Sequence, residues 1–193
     1  MATHKRRQRT CVMCSTKYRP DRDGQLVCGL SCALRHAKAR RTAKEAKARR
    51  QDAVPTITLK NRAQSAFNAY IRERDRVRLR GCCVSCGTSE GVMHCGHYRT
   101  RQAAPQLAMG GLLACLNARL QCAQCNNFKS GNVVQYRKAQ QQILDPAQLD
   151  RVEHNNDTVK RSREWYLRCA DIYRRRLRHL IALRARQTAV TGF

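Results

Sequence analysis

Apolar residues recur at helical spacing along two long stretches of the chain. Between Leu59 and Leu79 the positions Ala63, Ala66, Phe67, Tyr70 and Ile71, continued at Arg74, lie three and four residues apart. That spacing marks one face of a helix, and the face must pack on a partner, here expected to be the cysteine-rich module that follows. Arg62, Arg72, Arg76 and Arg78 fall on the other face, where they meet either water or a phosphate backbone. After Ser162, a capping residue, Tyr166, Ala170, Tyr173, Leu177 and Leu180 form a second stripe opposite Arg174, Arg175, Arg178 and Arg184. A homodimer seam and packing back on the same chain both account for that stripe.

Elsewhere the pattern is weaker. Residues 33–50 are rich in Ala, Lys and Arg without an apolar stripe, so they read as a solvated basic helix with Ser31 as its cap. Such a helix is either an arm along phosphates or a charged linker. Residues 52–58, with Pro55, break it. Val92 and Met93 lead as a short strand into His94, and residues 109–113 read as a flexible insertion. Val133 to Leu144 reads as a helix, and Asp145-Pro146 opens another with Pro at its first position. The ends, residues 4–10 and 189–193, are expected to be loose.

Composition changes the picture. Aromatic residues make up 5% of the 193 positions, and mean hydropathy is −0.66, which argues against one large apolar core. Lys and Arg number 39 against 13 Asp and Glu, a net charge of +26. Such a field favours a polyanion through counterion release, so nucleic acid is the expected partner. No run approaches the ~20 apolar residues of a membrane span and none follows Met1–Lys5 as a signal peptide would, so the expected location is the cytoplasm.

In a reducing compartment, closely paired cysteines are metal ligands before they are bridges. Cys11 and Cys14 are followed after thirteen residues by Cys28 and Cys32. The second set, Cys83 and Cys86, is followed after 35 residues by Cys122 and Cys125. Each set is the spacing of a four-thiolate structural zinc site, because a CxxC knuckle offers two sulfurs to one tetrahedral ion. Cys82 could replace Cys83, but the two-residue spacer favours Cys83. Cys82, Cys95, Cys115 and Cys169 remain as small core residues. The long spacer in the second set holds His94-Cys95-Gly96-His97-Tyr98-Arg99 and Asn117.

Paired knuckles around His97 and Asn117, with a CxxCNxxK element after them, resemble the HNH, or ββα-metal, nuclease signature. The blocks AFNAYIRERDR (66–76), GHYRTRQAAPQL (96–107) and QCAQCNNFKSGN (121–132) resemble the NinG, or Rap, recombination-protein family of lambdoid bacteriophages. The resemblance runs from the N-terminal cysteines to the last helix. It implies a structure-selective endonuclease acting on branched DNA such as D-loops and Holliday junctions, in the host cytoplasm, alongside phage recombination proteins. It also implies that His97 is the general base, that a loop residue, Asn117, orients it, and that a helix after the second CxxC supplies a ligand to a catalytic Mg²⁺ or Mn²⁺. Two positions depart from the pattern: Asn126 stands where a histidine is usual, and His94 where an acidic residue is usual. Both are candidate metal ligands, and a nitrogen in place of an oxygen moves the preference from magnesium toward manganese or zinc.

The implied chemistry is coherent. Phosphodiester hydrolysis needs an activated water in line with the leaving oxygen, and a neutral imidazole, with an unperturbed pKa near 6.5, can take its proton at neutral pH. Asn117 would fix the imidazole tautomer, and Arg99, Arg101 and Lys129 would grip phosphates beside the scissile one. The expected fold is small, zinc-stabilised α+β: a zinc finger with its basic helix over 1–52, an HNH-like core with its leading helix over 53–135, and C-terminal helices over 136–193. The alternative is a non-catalytic zinc-stapled DNA- or RNA-binding protein.

Overall fold

A computed structural model of the chain describes residues 7–191; residues 4–6 of the basic start and 192–193 of the expected frayed end lie outside the described residues. The chain divides into two compact units, Met1–Pro55 and Thr56–Phe193, so the break falls after Pro55 and residues 136–193 belong to the second unit. No described helix is long and apolar enough to cross a membrane.

The first unit is built around its sulfurs. Strands β1 (Arg9–Thr10) and β2 (Lys17–Tyr18) pair antiparallel on either side of the first knuckle. The knuckle closes through Ser15 N–H donating to Cys11 O and Cys11 N–H donating to Thr16 O, both at 2.9 Å. The Tyr18 hydroxyl donates to Gln25 O at 2.7 Å and shapes the loop leading to Cys28. Helix α1 runs Leu30–Asp52. Gly29 O accepts its first helical bond, from Ala33 N–H, so Ser31 sits inside the first turn and is not the cap. The reason is the cluster: a helical turn between Cys28 and Cys32 stacks positions four apart, bringing their sulfurs to 3.7 Å. From Ala37 to Arg50 every position is exposed, as a helix without a stripe must be.

In the second unit, α2 (Thr56–Arg78) and α6 (Arg163–Thr191) pack along one another. Strands β3 (Met93–His97) and β4 (Ala118–Cys122) form an antiparallel pair in which His97 faces Ala118 and Met93 faces Cys122. Between the strands lie a 3₁₀ turn, Pro105–Leu107, and α3, Gly111–Asn117. After β4 come a single π-helical turn, Gln124–Phe128, then α4 (Val133–Ile143) and α5 (Pro146–His154). Asp145 caps α5 by accepting from Gln148 N–H at 2.8 Å, and the Ser162 hydroxyl accepts from Trp165 N–H at the start of α6.

The α2 stripe has a wider use than its spacing implied. Ala63, Phe67 and Ile71 pack with Ala118 of β4 and with Ala170 and Tyr173 of α6, so α2 is the middle layer between sheet and last helix. The α6 stripe therefore packs back on its own chain. Buried charge fixes the register of α2 on β4. The Arg74 guanidinium forks onto the Asp75 carboxylate and donates to the carbonyls of Cys115 and Ala118, while Asp75 accepts Leu120 N–H at 2.8 Å. Residues 109–113 are not a loose insertion: Met109 is buried, and Gly110 lies so close to Trp165 that a Cβ there would meet the indole at 2.7 Å.

Candidate functional site

Each unit carries one cluster of four cysteine sulfurs. The four sulfurs of Cys11, Cys14, Cys28 and Cys32 lie within 4.8 Å of one another, and so do those of Cys83, Cys86, Cys122 and Cys125. Individual separations of 3.5 Å (Cys14 to Cys28) and 3.8 Å (Cys86 to Cys122) are close to the roughly 3.8 Å edge of a tetrahedron whose metal–sulfur bonds are ~2.3 Å. Backbone N–H groups of Met13 and Cys28 point at the Cys11 sulfur, and that of Cys125 at the Cys122 sulfur, an arrangement that favours thiolates. Both donor sets fit a zinc-like ion. Cys83 belongs to the second sulfur cluster and Cys82 does not; Cys169 is buried, and Cys95 and Cys115 pack half-buried against the α2 core.

The second cluster is welded to the sheet by the turn Lys129-Ser130-Gly131-Asn132. Ser130, Gly131 and Asn132 all adopt positive φ, and the Asn132 amide donates to the Cys125 sulfur at 3.4 Å. Gln121, fully buried in β4, donates both to Ser85 of the Cys83–Cys86 knuckle and to Gly131 O. Gly96 on β3 faces this side chain, and a Cβ there would lie 2.3 Å from the Gln121 carboxamide oxygen. Glycine alone lets the two strands close.

Along β3 opens a cleft of about 710 Å³, lined by Arg72 of α2, His94 and His97 of β3, Arg101, and Asn126 and Asn127 of the π-helical turn. Its charged lining is basic, with no Asp or Glu. The His97 Nε2 lies 2.9 Å from Ala108 O. A carbonyl can only accept, so Nε2 carries the proton and Nδ1 keeps its lone pair. The same carbonyl accepts from the Gln64 amide at 2.8 Å, which anchors it to α2. Burial pulls the His97 pKa below its usual 6.5, against the opposing bond to Ala108, so the ring is neutral at neutral pH.

The sequence-derived candidates separate in the structure. His94, His97, Arg101 and Asn126 share the cleft, and Lys129 is exposed at the end of the π-helical turn. Asn117 is not a loop residue, and among the described residues its side chain makes no hydrogen bond to the His97 ring. It ends α3, fully buried, with its side-chain oxygen accepting Arg99 N–H and its amide donating to the carbonyls of Arg99 and Leu107. The bond to Leu107 O ties it to the segment that carries Ala108. Arg99 is not a free phosphate contact either. Its guanidinium donates to Val152 O, Asn155 O and the Asn156 side chain, where it closes the carbonyl end of α5. Tyr98 donates to Glu153 at 2.6 Å, and burial together with that carboxylate pushes its hydroxyl up to about 12.

Gln64 and the Ala108 carbonyl were not signalled by the sequence, since neither belongs to a motif. Nor does the cleft gather a carboxylate: among the described residues only the two cysteine sets bring three or more His, Cys, Asp or Glu together. His94 and Asn126 offer one imidazole and one carboxamide, too few donors to retain a hard divalent cation by themselves.

The sequence profile described as Bacteriophage Lambda NinG protein matches residues 3–182. A protein called Protein ninG from Escherichia phage 933W is 34% identical over 172 residues, covering 78% of this chain and 82% of the relative. Those of Escherichia phage lambda and Salmonella phage P22 are each 43% identical, over 96 and 95 residues, covering 49% of this chain and 44% and 43% of the relatives. No solved structure matches the chain.

Proposed function

The chain belongs to the NinG family of lambdoid phage proteins, and on that premise we propose that it is a structure-selective endonuclease that hydrolyses phosphodiesters in branched DNA inside the infected host. The observation that carries this reading is His97: a neutral imidazole, proton fixed on Nε2 by Ala108 O, in a basic cleft on the open side of a strand. Its Nδ1 lone pair removes the proton of an attacking water, while Arg72 and Arg101 bind the phosphate oxygens. In this reading the strand pair, the π-helical turn and the four-sulfur cluster would serve as the frame that an HNH-like site needs. A Mg²⁺ or Mn²⁺ ion would supply charge neutralisation at the phosphate. His94 and Asn126 would be its protein donors, with DNA oxygens completing the shell, so ion and DNA are expected to bind together.

One feature favours a second reading. Without a carboxylate in the cleft, the same surface serves a zinc-stapled protein that binds DNA or RNA without cutting. Incubating the zinc-loaded protein with a synthetic D-loop, a four-way junction and linear duplex, in Mg²⁺ or Mn²⁺, separates the two. Nicking confined to the branched substrates, lowered about 10²–10⁴-fold in His97→Ala, is expected. Intact DNA in every lane, or equal nicking by His97→Ala, leaves the binding reading.

A further inference from the structure

A second cavity, of about 690 Å³, is bounded by α2, α3, β4 and α6 with the end of α4 and the start of α5 and falls within the roughly 300–1,000 Å³ of small-molecule sites. All five charged residues lining it are arginines: Arg74, Arg78, Arg119, Arg168 and Arg176. Arg74 is satisfied by Asp75 and two carbonyls. Arg119 is not. It is 5% exposed, it donates to Cys115 O at 3.2 Å, and its Nε has no partner among the described residues. Burial, and then the charge of Arg74, lower its pKa, as expected of a guanidinium held without enough countercharge. Leu116, Trp165 and Ile172 add apolar lining to the same cavity, and Arg161 lies 4.1 Å from the centroid of the Trp165 ring.

A buried guanidinium held without enough countercharge is unfavourable unless an anion approaches it. Guanidinium groups fork onto phosphate oxygens and lie flat on aromatic rings, which ammonium groups do not. Apolar walls exclude a hydrated inorganic ion and accept a flat, weakly polar body. We propose that this cavity is a nucleotide site, in which Arg119, with Arg168 and Arg176, takes the phosphate and the wall of Leu116, Trp165 and Ile172 takes the base. The proposal rests on the branched-DNA reading in one respect: the nucleotide meant is one that a branch leaves unpaired.

Trp165 is the one tryptophan of the chain, so its fluorescence reports on the cavity. The full-length zinc-loaded protein is titrated with deoxyadenosine monophosphate, deoxyadenosine, inorganic phosphate, and a hairpin duplex with or without one unpaired adenosine. A saturable change is expected with the monophosphate and the bulged duplex, and binding about tenfold weaker or less with each of the others. A response to the monophosphate without one to the bulge keeps the site and makes its ligand the free nucleotide. Arg119→Met is expected to weaken binding at least about tenfold while raising Tm, because it removes the unmet charge. Arg168→Gln, on an exposed position, is expected to weaken binding with Tm unchanged. No saturable response to either ligand, or wild-type binding by both variants, overturns the site. Nicking of junctions without any nucleotide response removes this site alone; a nucleotide response in a protein that nicks nothing removes the endonuclease reading alone.

Discussion

Single residues in the GHYR block divide sharply by role. His97 faces the cleft, while Gly96, Tyr98 and Arg99 hold the frame around it. Because burial lowers its pKa, His97 sheds its proton at a lower pH than a free imidazole. Nicking is therefore expected to be level at neutral pH and to fall on acidification only below about 6.5. A single-turnover pH profile with its half-point above that value would show that the rate follows some other group. Gly96 has a steric role that motif matching does not reveal. Gly96→Ala drives a methyl into Gln121, and overpacking of this kind destabilises by about 1–3 kcal/mol. Urea unfolding of the variant measures it, and a wild-type midpoint would mean that Gln121 can move aside.

Among the elements, α2 carries the most weight. Its apolar stripe docks α6 and the sheet, but an apolar stripe tolerates sliding, and the Arg74–Asp75 pair is what sets the register. Removing one member leaves the other charge buried. Asp75→Ala is therefore expected to destabilise the second unit by about 3–5 kcal/mol, well beyond the loss of one exposed ion pair such as Arg41–Glu45, which contributes under about 1 kcal/mol. Thermal unfolding of the two variants Asp75→Ala and Glu45→Ala, side by side, checks the contrast. Equal shifts would mean that Arg74 finds water when its partner is gone.

For the whole molecule the dominant quantity is charge. With a net +26, DNA affinity should fall steeply with salt, the logarithmic slope being about −0.9 per neutralised phosphate. Eight of the 23 residues of α1 are Lys or Arg and its body is exposed, so that helix is the natural carrier of sequence-independent contacts. Replacing Arg40, Arg41, Lys44 and Lys47 by Gln is expected to flatten the slope by as much as about 3–4 while leaving any preference for branched over linear DNA in place. An unchanged slope would reduce α1 to a charged connector.

The two sulfur clusters, the helix bounds near Ser162 and Asp145, and the basic character of the protein were legible in the sequence, because metal ligation, capping and charge depend on residues a few positions apart or on composition alone. Periodicity also marked which face of α2 is buried, and of its two partners it anticipated the cysteine-rich module but not α6. The remaining partners were decided only in three dimensions. Asn117 and Arg99 look like catalytic furniture in a motif, yet their donors are taken up by carbonyls 10 to 56 positions away. The proton of His97 is placed by Ala108, eleven positions on, whose carbonyl is anchored by Gln64 from another helix. The arginine-lined cavity draws its walls from α2, α3, β4, α4, α5 and α6. Side chains brought together from distant segments share no spacing rule, so local pattern cannot announce them; only the packing of the folded chain does.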